Sequence, residues 1–446
     1  MKHYDIVVIG GGPAGIAAAL KASGGGASVA LLERDEKLGG TLNQCMHFGF
    51  GEKYFGKNMQ GTEFAKRLIR RLKKSNVSVY VNTTVIKLQK DKSVMAVCSS
   101  VGLLQLQAAA IIIASGCIEK NVQSTSTSVA GNRPTGVYTA GLAQKLLNNY
   151  DFLVGNNIVI LGSGDIGLTM ARLLHLRGAK IIMVTEQYPY CRGSIKNKEQ
   201  CLDEYNIPLL TSTTITRIIG KSRVEGVYIA DVDTGARDSK GNKTLKPIMA
   251  SERFVECDTV LLAVGLTQDN QLVQQVGLVI DKASGGALVD ERRQGSVEGF
   301  FICGDGLHIH SSVDAVCFEA EDVGGFAREY ALGGGGVVES SGQGVGEAPQ
   351  INNQHISTQP AKAQHISVKT CSNLAYVVPQ KITKGAKDVY IYFRPKTQLE
   401  NVTLTVKDAK DNILLQKEYD ILYVGKNYSV RLEQELIENI TLNVEC

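Results

Sequence analysis

The chain carries one supersecondary unit twice, and this repeat limits its fold more than any other feature. In the first copy, residues 5–9 (Asp-Ile-Val-Val-Ile) form a short apolar, β-branched run that reads as a buried parallel strand. Gly10-Gly11-Gly12-Pro13-Ala14-Gly15 follows at once, residues 16–21 are Ala-rich and helical, and the apolar run 28–32 ends at Glu33. In the second copy, residues 158–161 are the strand and Gly162-Ser163-Gly164-Asp165-Ile166-Gly167 the turn. Residues 168–176 are the helix and 180–184 the second strand, which runs into Thr185-Glu186.

Each position has a physical role. The first glycine permits the tight turn, the second lets backbone approach a pyrophosphate, and the third lets the helix pack against the sheet. The helix N-terminus offers free N–H groups and partial positive charge to phosphate. The acid, about 20 residues on, accepts hydrogen bonds from a ribose. Two such units predict two dinucleotide sites on an α/β fold.

Other segments extend the pattern. Gly39-Gly40-Thr41-Leu42-Asn43-Gln44-Cys45-Met46-His47 follows the second strand, and its glycines allow another close backbone approach. Residues 61–76 read as an amphipathic helix, and 77–81, 83–88 and 109–114 as strands, the last ending at Ser115-Gly116. Residues 258–263 read as a strand ending at Val264-Gly265. Residues 299–305 read as a strand running into Cys303-Gly304-Asp305, and a helix spans 312–331. Residues 333–363, rich in Gly, Ser, Gln and Asn, read as a linker. Residues 364–446 alternate in six strands at even spacing, which predicts a small β-sandwich.

The net charge of +4 on 446 residues marks no nucleic-acid or membrane surface, and no apolar run reaches a membrane span. The 10 cysteines are scattered without a CxxC, which reads as reduced thiols in a soluble, cytoplasmic protein.

The order of features resembles the two-dinucleotide-domain flavoproteins of the pyridine nucleotide-disulfide oxidoreductase superfamily over residues 1–331. The resemblance implies that the first unit binds FAD and the second NAD(P)H, with hydride passing between them. It implies domains at 1–120 with 281–332 (FAD), at 121–280 (nicotinamide nucleotide) and at 364–446 (β). The cofactor-binding set it implies is Gly10, Gly12, Pro13, Ala14, Gly15, Glu33, Arg34, Gly39, Gly40, Thr41, Val85, Ala114, Ser115, Gly116, Gly304 and Asp305 for the flavin. For the nicotinamide nucleotide it is Gly162, Gly164, Asp165, Ile166, Gly167, Glu186 and Gly265. Asp305 would hold the ribityl chain. The helix after Ser312 would stabilise reduced flavin with its N-terminal dipole. Glu186 favours NADH over NADPH, and Arg192 nearby could receive an added phosphate.

Three segments carry a narrower likeness: residues 39–45, residues 133–141 and Leu307-His308-Ile309-His310. They look like the FAD/NAD subunits beside anaerobic glycerol-3-phosphate dehydrogenases, and like subunits of opine, proline and hydrogen-cyanide-forming dehydrogenase complexes. That likeness implies a redox partner subunit, often an iron–sulfur protein, and leaves homo-oligomerisation open. The chain departs from disulfide reductases of the glutathione type, because only Cys45 follows Gly39-Gly40-Thr41 where those carry CxxxxC.

Three residues are candidates for chemistry. Cys45 is either a redox thiol, with its pKa lowered by His47 or the flavin environment, or a small buried hydrophobe. His308 is either an acid/base residue or a core histidine. Alternation places it and His310 on opposite sides, and no third ligand is evident, so no metal site is assigned. Three functions compete. One is electron transfer within a dehydrogenase complex. Another is a self-sufficient single-cysteine oxidase, peroxidase or thiol reductase, and the third is a non-catalytic flavin-bound scaffold.

Overall fold

A computed structural model describes residues 1–121, 129–237, 244–333, 365–384, 386, 389–408, 410–433 and 441–445. The expected linker at 333–363 lies outside the described residues apart from Gly333. The chain divides into two compact units.

The first unit comprises Met1–Leu38, Leu68–Ser115 and Asn270–Cys446. Lys2–Ile9 lies between Val29–Leu32 and Gly102–Ile113, parallel to both, and Ser78–Tyr80 extends the sheet beyond Val29–Leu32. Phe300–Ile302 adds in parallel to Ile111–Ile113. The strand expected at 109–114 begins at Gly102, and its first half pairs antiparallel with Ser93–Cys98, which in turn pairs with Thr83–Leu88. Ile6, Val7, Val8, Ile111, Ile112 and Ile113 are wholly buried, which accounts for their unbroken apolar runs.

The helix Pro13–Ala22 has Pro at its first turn, where the missing N–H costs nothing. It packs on the helix Val313–Ala331, whose N-cap Ser312 Oγ accepts from Ala315 N at 3.3 Å. A Cβ at Gly324 would meet the Ala18 carbonyl oxygen at 2.3 Å, so small residues on both helices set this close crossing.

The carboxy-terminal residues form the expected sandwich. One sheet runs Lys381–Thr383, His365–Thr370, Thr441–Glu445, Leu399–Lys407, Ile413–Leu422, and the other Leu374–Val378, Val389–Pro395, Tyr428–Leu432. Val389, Ile391 and Phe393 alternate inward onto a core with Leu404, Val406 and Leu432. Tyr376 and Val378 instead join the core of the parallel sheet, beside Ile111, Phe300 and Ile302. Backbone contacts tie the two together, with Thr383 N donating to Glu291 Oε2 at 2.8 Å and Asn427 N to Ser311 Oγ at 2.6 Å. The sandwich is therefore bound into the first unit.

The second unit comprises Gly39–Arg67 and Gly116–Asp269. Residues 39–67, expected within a continuous 1–120 stretch, group here. Its parallel sheet runs Val137–Thr139, Thr259–Leu262, Asn157–Leu161, Lys180–Thr185, Leu209–Leu210, with the helices Ala140–Tyr150 and Asp165–Leu176 in its core. An antiparallel layer, led by Thr213–Ile219 and Gly226–Asp233, completes it.

Candidate functional site

The two glycine turns are built alike. Gly10 (φ 108°) and Gly162 (φ 105°) adopt a backbone that side chains disfavour. A Cβ on either would meet a carbonyl oxygen of the neighbouring strand end, Ala114 at 2.2 Å or Ala263 at 2.3 Å. A Cβ on Gly15 or Gly167 would strike the carbonyl of Gly10 or Gly162. At Gly12 and Gly164 a Cβ would meet nothing within 4 Å. The outer glycines thus serve the fold, while the middle one faces the open space through which a pyrophosphate would approach.

The two acids repeat the same geometry. Glu33 Oε2 accepts from Gly11 N at 2.7 Å and Oε1 from Asp35 N at 2.8 Å. Glu186 Oε2 accepts from Ser163 N at 3.0 Å and Ser163 Oγ at 2.7 Å, and Oε1 accepts from Tyr188 N at 3.1 Å. Both side chains are buried, and each carboxylate keeps acceptor capacity for ribose hydroxyls. The pair fits two dinucleotides. Arg192 donates its N–H to Ser163 Oγ at 3.0 Å and lays its guanidinium over the Tyr188 ring. The Asp165 carboxylate accepts from Ser194 N and Asn197 Nδ2, and Ile166 is exposed.

In the first unit, Gly304 (φ 69°) comes so close to the first helix that a Cβ would lie 2.7 Å from Ala14 Cβ. This sets Asp305 near the N-terminal end of that helix. Val85 is half-buried against the sheet core, and Arg34 is exposed.

Behind Asp305 lies a charged cluster that the sequence did not reveal. His308 and His310 do not point to opposite sides. The segment is not an extended strand, both rings turn inward, and their centroids lie 4.1 Å apart. Glu319, on the helix Val313–Ala331, faces both rings. Its Oε2 is 3.0 Å from His308 Nε2 and 3.3 Å from Arg293 Nε, and its Oε1 is 3.3 Å from His310 Nε2. Asp305 Oδ1 accepts from His310 N at 2.9 Å and lies 3.1 Å from His310 Nδ1.

Burial and the charge of His310 hold His308 down to about 4, against the pull of Glu319. Burial alone would lower His310 too, but Glu319 and Asp305 outweigh it and raise it to about 10. Burial works against ionising Glu319, yet the two imidazoles hold it well below the ordinary carboxylate range. Glu319 supplies the third donor atom that the sequence lacked, but the Arg293 guanidinium on the same oxygen opposes a divalent cation there. Glu319 was legible in principle, since it follows Val316 by three and precedes Val323 by four on the apolar face of its helix.

In the second unit, Gly39 (φ 115°) and Gly40 (φ 53°) lead into a short 3₁₀ turn, Gly40–Gln44. Gln44 Nε2 donates to the Gly141 carbonyl and Asn148 Nδ2 to the Gln44 carbonyl, so the helix Ala140–Tyr150 holds the segment. Cys45 Sγ donates to the Thr41 carbonyl, and burial pushes its thiol up to about 11. This is opposite to the lowering that thiol chemistry requires. His47 does not supply it: its Nδ1 pairs with the Phe48 carbonyl and its ring packs against Phe50. Gly116 and Gly265 sit in a small ribbon, where the Gly265 carbonyl accepts from Lys120 N and that of Gly116 from Asp269 N.

Two Rossmann units, each with a glycine turn and a buried acid at the end of its second strand, are the arrangement of a dinucleotide-binding protein. The pyridine nucleotide-disulphide oxidoreductase profile matches residues 4–317, and the chain belongs to that family. Members are FAD-dependent NAD(P)H oxidoreductases, and so is this protein. It is 24% identical to a ferredoxin–NADP reductase of Leuconostoc citreum over 70% of this chain and 86% of the relative. It is also 24% identical to one of the opine oxidase subunits of Rhizobium meliloti, over 69% of this chain and 59% of that relative. Its fold is similar to T. acidophilum thioredoxin reductase (TM-score 0.57, 22% identity, 75% of this chain and 99% of that one). It is similar in fold to L-proline dehydrogenase from P. horikoshii (TM-score 0.50, 21% identity, 72% and 54%). No described helix is long and apolar enough to cross a membrane.

Proposed function

We propose that the protein takes electrons from NADH, in preference to NADPH, and passes them to a separate redox subunit or small acceptor rather than through a dithiol of its own. The preference rests on Glu186. Its carboxylate, fixed by Ser163 and Tyr188, meets a ribose 2′-hydroxyl as an acceptor and a 2′-phosphate as a like charge. Arg192, the cation that could offset that charge, is engaged on Tyr188.

The absence of an internal dithiol rests on Cys45, a raised thiol with no CxxxxC partner beside it. Names among the relatives support an external acceptor, since one is a ferredoxin reductase and another belongs to an opine oxidase of more than one subunit.

Bound FAD supplies the ring that exchanges hydride with the nicotinamide. The chain's own part is to hold and orient. Gly10 and Gly15 shape the turn, Gly12 admits the pyrophosphate, Glu33 takes the ribose, and Asp305 takes the ribityl chain. Gly162 and Gly167 shape the second turn, and Gly164 admits the pyrophosphate of the nicotinamide nucleotide.

The test is an anaerobic titration of purified protein with NADH and, separately, NADPH. Bleaching of the flavin by NADH at far lower concentration supports the reading. No bleaching with either nucleotide, or equal bleaching with both, refutes it.

A further inference from the structure

We propose that the carboxy-terminal sandwich positions the flavin-facing carboxylate of Asp305 through a side-chain relay: Asn427, His308, Glu319, His310, Asp305. The inference rests on the reading that Asp305 contacts the flavin.

The relay can be followed atom by atom. Asn427 Oδ1 accepts from Tyr376 OH at 2.9 Å, which fixes the amide so that Nδ2 faces inward. Nδ2 lies 3.1 Å from His308 Nδ1 and also donates to the Ile309 carbonyl. A donor on Nδ1 makes that nitrogen the acceptor, so His308 carries its proton on Nε2 and gives it to Glu319 Oε2 at 3.0 Å. Glu319 Oε1 accepts from Gly304 N at 3.2 Å and makes an ion pair with His310 Nε2 at 3.3 Å, without the alignment of a hydrogen bond. His310 then binds Asp305 Oδ1 twice, through its backbone N–H and its ring.

Geometry at the far end points to a ligand. Asp305 is one-third exposed, while the two imidazoles and Glu319 are almost wholly buried. Its Oδ1 is pinned, and Oδ2 has no partner among the described residues. A carboxylate held on one oxygen and open on the other is set for a hydroxyl donor. The charges within the cluster balance: Arg293 and His310 against Glu319 and Asp305. Hydrogen bonds carry orientation from Asn427 through His308 to Glu319, the Glu319–His310 ion pair carries it on, and the first member sits on the sandwich.

The test uses the full-length protein and FAD binding, followed by flavin fluorescence. Asn427→Asp keeps the side chain's shape and its acceptor for Tyr376 but cannot donate to His308. We expect it, and His310→Gln, to weaken FAD by about tenfold or more. The double variant should be no weaker than His310→Gln alone, since both break one chain. Gln380→Ala removes different sandwich contacts, the bond from its Nε2 to Asp281 and the one its Oε1 accepts from Val289 N, and should leave FAD affinity within about twofold. The ¹⁵N shifts of His308 should report the Nε2–H tautomer in the wild type and in Gln380→Ala, and lose it in Asn427→Asp. Wild-type affinity in Asn427→Asp, an unchanged tautomer, or losses that multiply in the double variant would overturn the relay. Asp305→Asn separates the two ideas. If it binds FAD normally, the Asp305 reading itself fails. If only Asp305→Asn weakens FAD, the relay fails alone.

Discussion

Asn427 Nδ2 meets His308 Nδ1 at 3.1 Å across 119 residues of sequence, and so joins the sandwich to the buried charges behind Asp305. Glu319 is the pivot of that cluster. Replacing it with Gln leaves Arg293 and His310 as buried cations without their shared counter-charge. The expected cost is about 3–5 kcal/mol of stability, read as a lower denaturant midpoint. An unchanged midpoint would show that the carboxylate is not the anchor of these cations.

The cluster also shapes stability against pH. His310 is raised from 6.5 to about 10 by Glu319 and Asp305 over the opposing effect of burial, so its contribution is complete below 6.5 and is lost as pH climbs through about 10. His308 is lowered to about 4 by burial and by His310, so its contribution is complete above 6.5 and fades as pH falls toward 4. Glu319, held well below 4.5, loses its contribution only as pH falls beneath that value. Arg293, Cys303, Asp305, Asp322, Tyr376 and Tyr392 are further ionisable groups that face the cluster. Urea midpoints from about pH 5 to about pH 10 should therefore peak near neutrality and fall on both sides. In His310→Gln the alkaline fall should flatten. A wild-type alkaline limb in that variant would place the titration elsewhere.

The glycines of the first turn separate fold from cofactor. Gly10→Ala places a Cβ against the Ala114 carbonyl at a φ of 108°, at an expected cost of about 1–3 kcal/mol from backbone strain alone. Gly12→Ala meets open space at φ −74°, so stability should hold or rise by up to about 1 kcal/mol. Its FAD affinity should nonetheless fall by about tenfold or more, because the Cβ stands where the pyrophosphate approaches. Thermal melts and flavin retention on a sizing column check both. A Gly12→Ala protein that keeps its flavin would dismiss the cradle.

Much of this was legible before any coordinates. The glycine turns, Glu33, Glu186, the apolar strands and six of the sandwich strands rest on local periodicity and turn chemistry, which a single sequence carries. The strand His365–Thr370 also alternates, with Ile366 and Val368 inward, but it follows a polar stretch that masks its start. The cluster was hidden for a different reason. Arg293, His308, Glu319 and Asn427 are far apart in sequence, and only the packing of a loop, a helix and the sandwich brings them together. Alternation failed at His308 and His310 because it assumes a strand, and the backbone there follows a short 3₁₀ turn.

Cys45 offers a direct check on the route of the electrons. Burial raises its thiol to about 11, so it is protonated near neutral pH. Cys45→Ser should then leave nicotinamide-driven flavin reduction within about twofold of wild type. The wild-type spectrum should lack a long-wavelength thiolate-to-flavin band. Appearance of that band, or loss of turnover with disulfide or peroxide in the variant alone, would return Cys45 to the chemistry.

Nucleotide choice is the sharpest test of the second unit. Glu186→Gln removes the charge while keeping an oxygen for Ser163 N. The NADH complex loses a charge-assisted ribose bond, and the NADPH complex loses a like-charge penalty. Both changes act in the same direction on the ratio, so the NADH-to-NADPH preference should fall by about tenfold or more. Stopped-flow flavin reduction at graded concentrations of each nucleotide measures it. Arg192→Ala supplies the second arm. With its guanidinium held over Tyr188, its removal should leave NADH reduction unchanged in the wild-type background. In Glu186→Gln, Arg192 no longer shares the phosphate's surroundings with an opposing carboxylate, and its removal should then weaken NADPH. A ratio that ignores Glu186 would mean that selection lies outside the ribose acid, and the NADH assignment would fall with it.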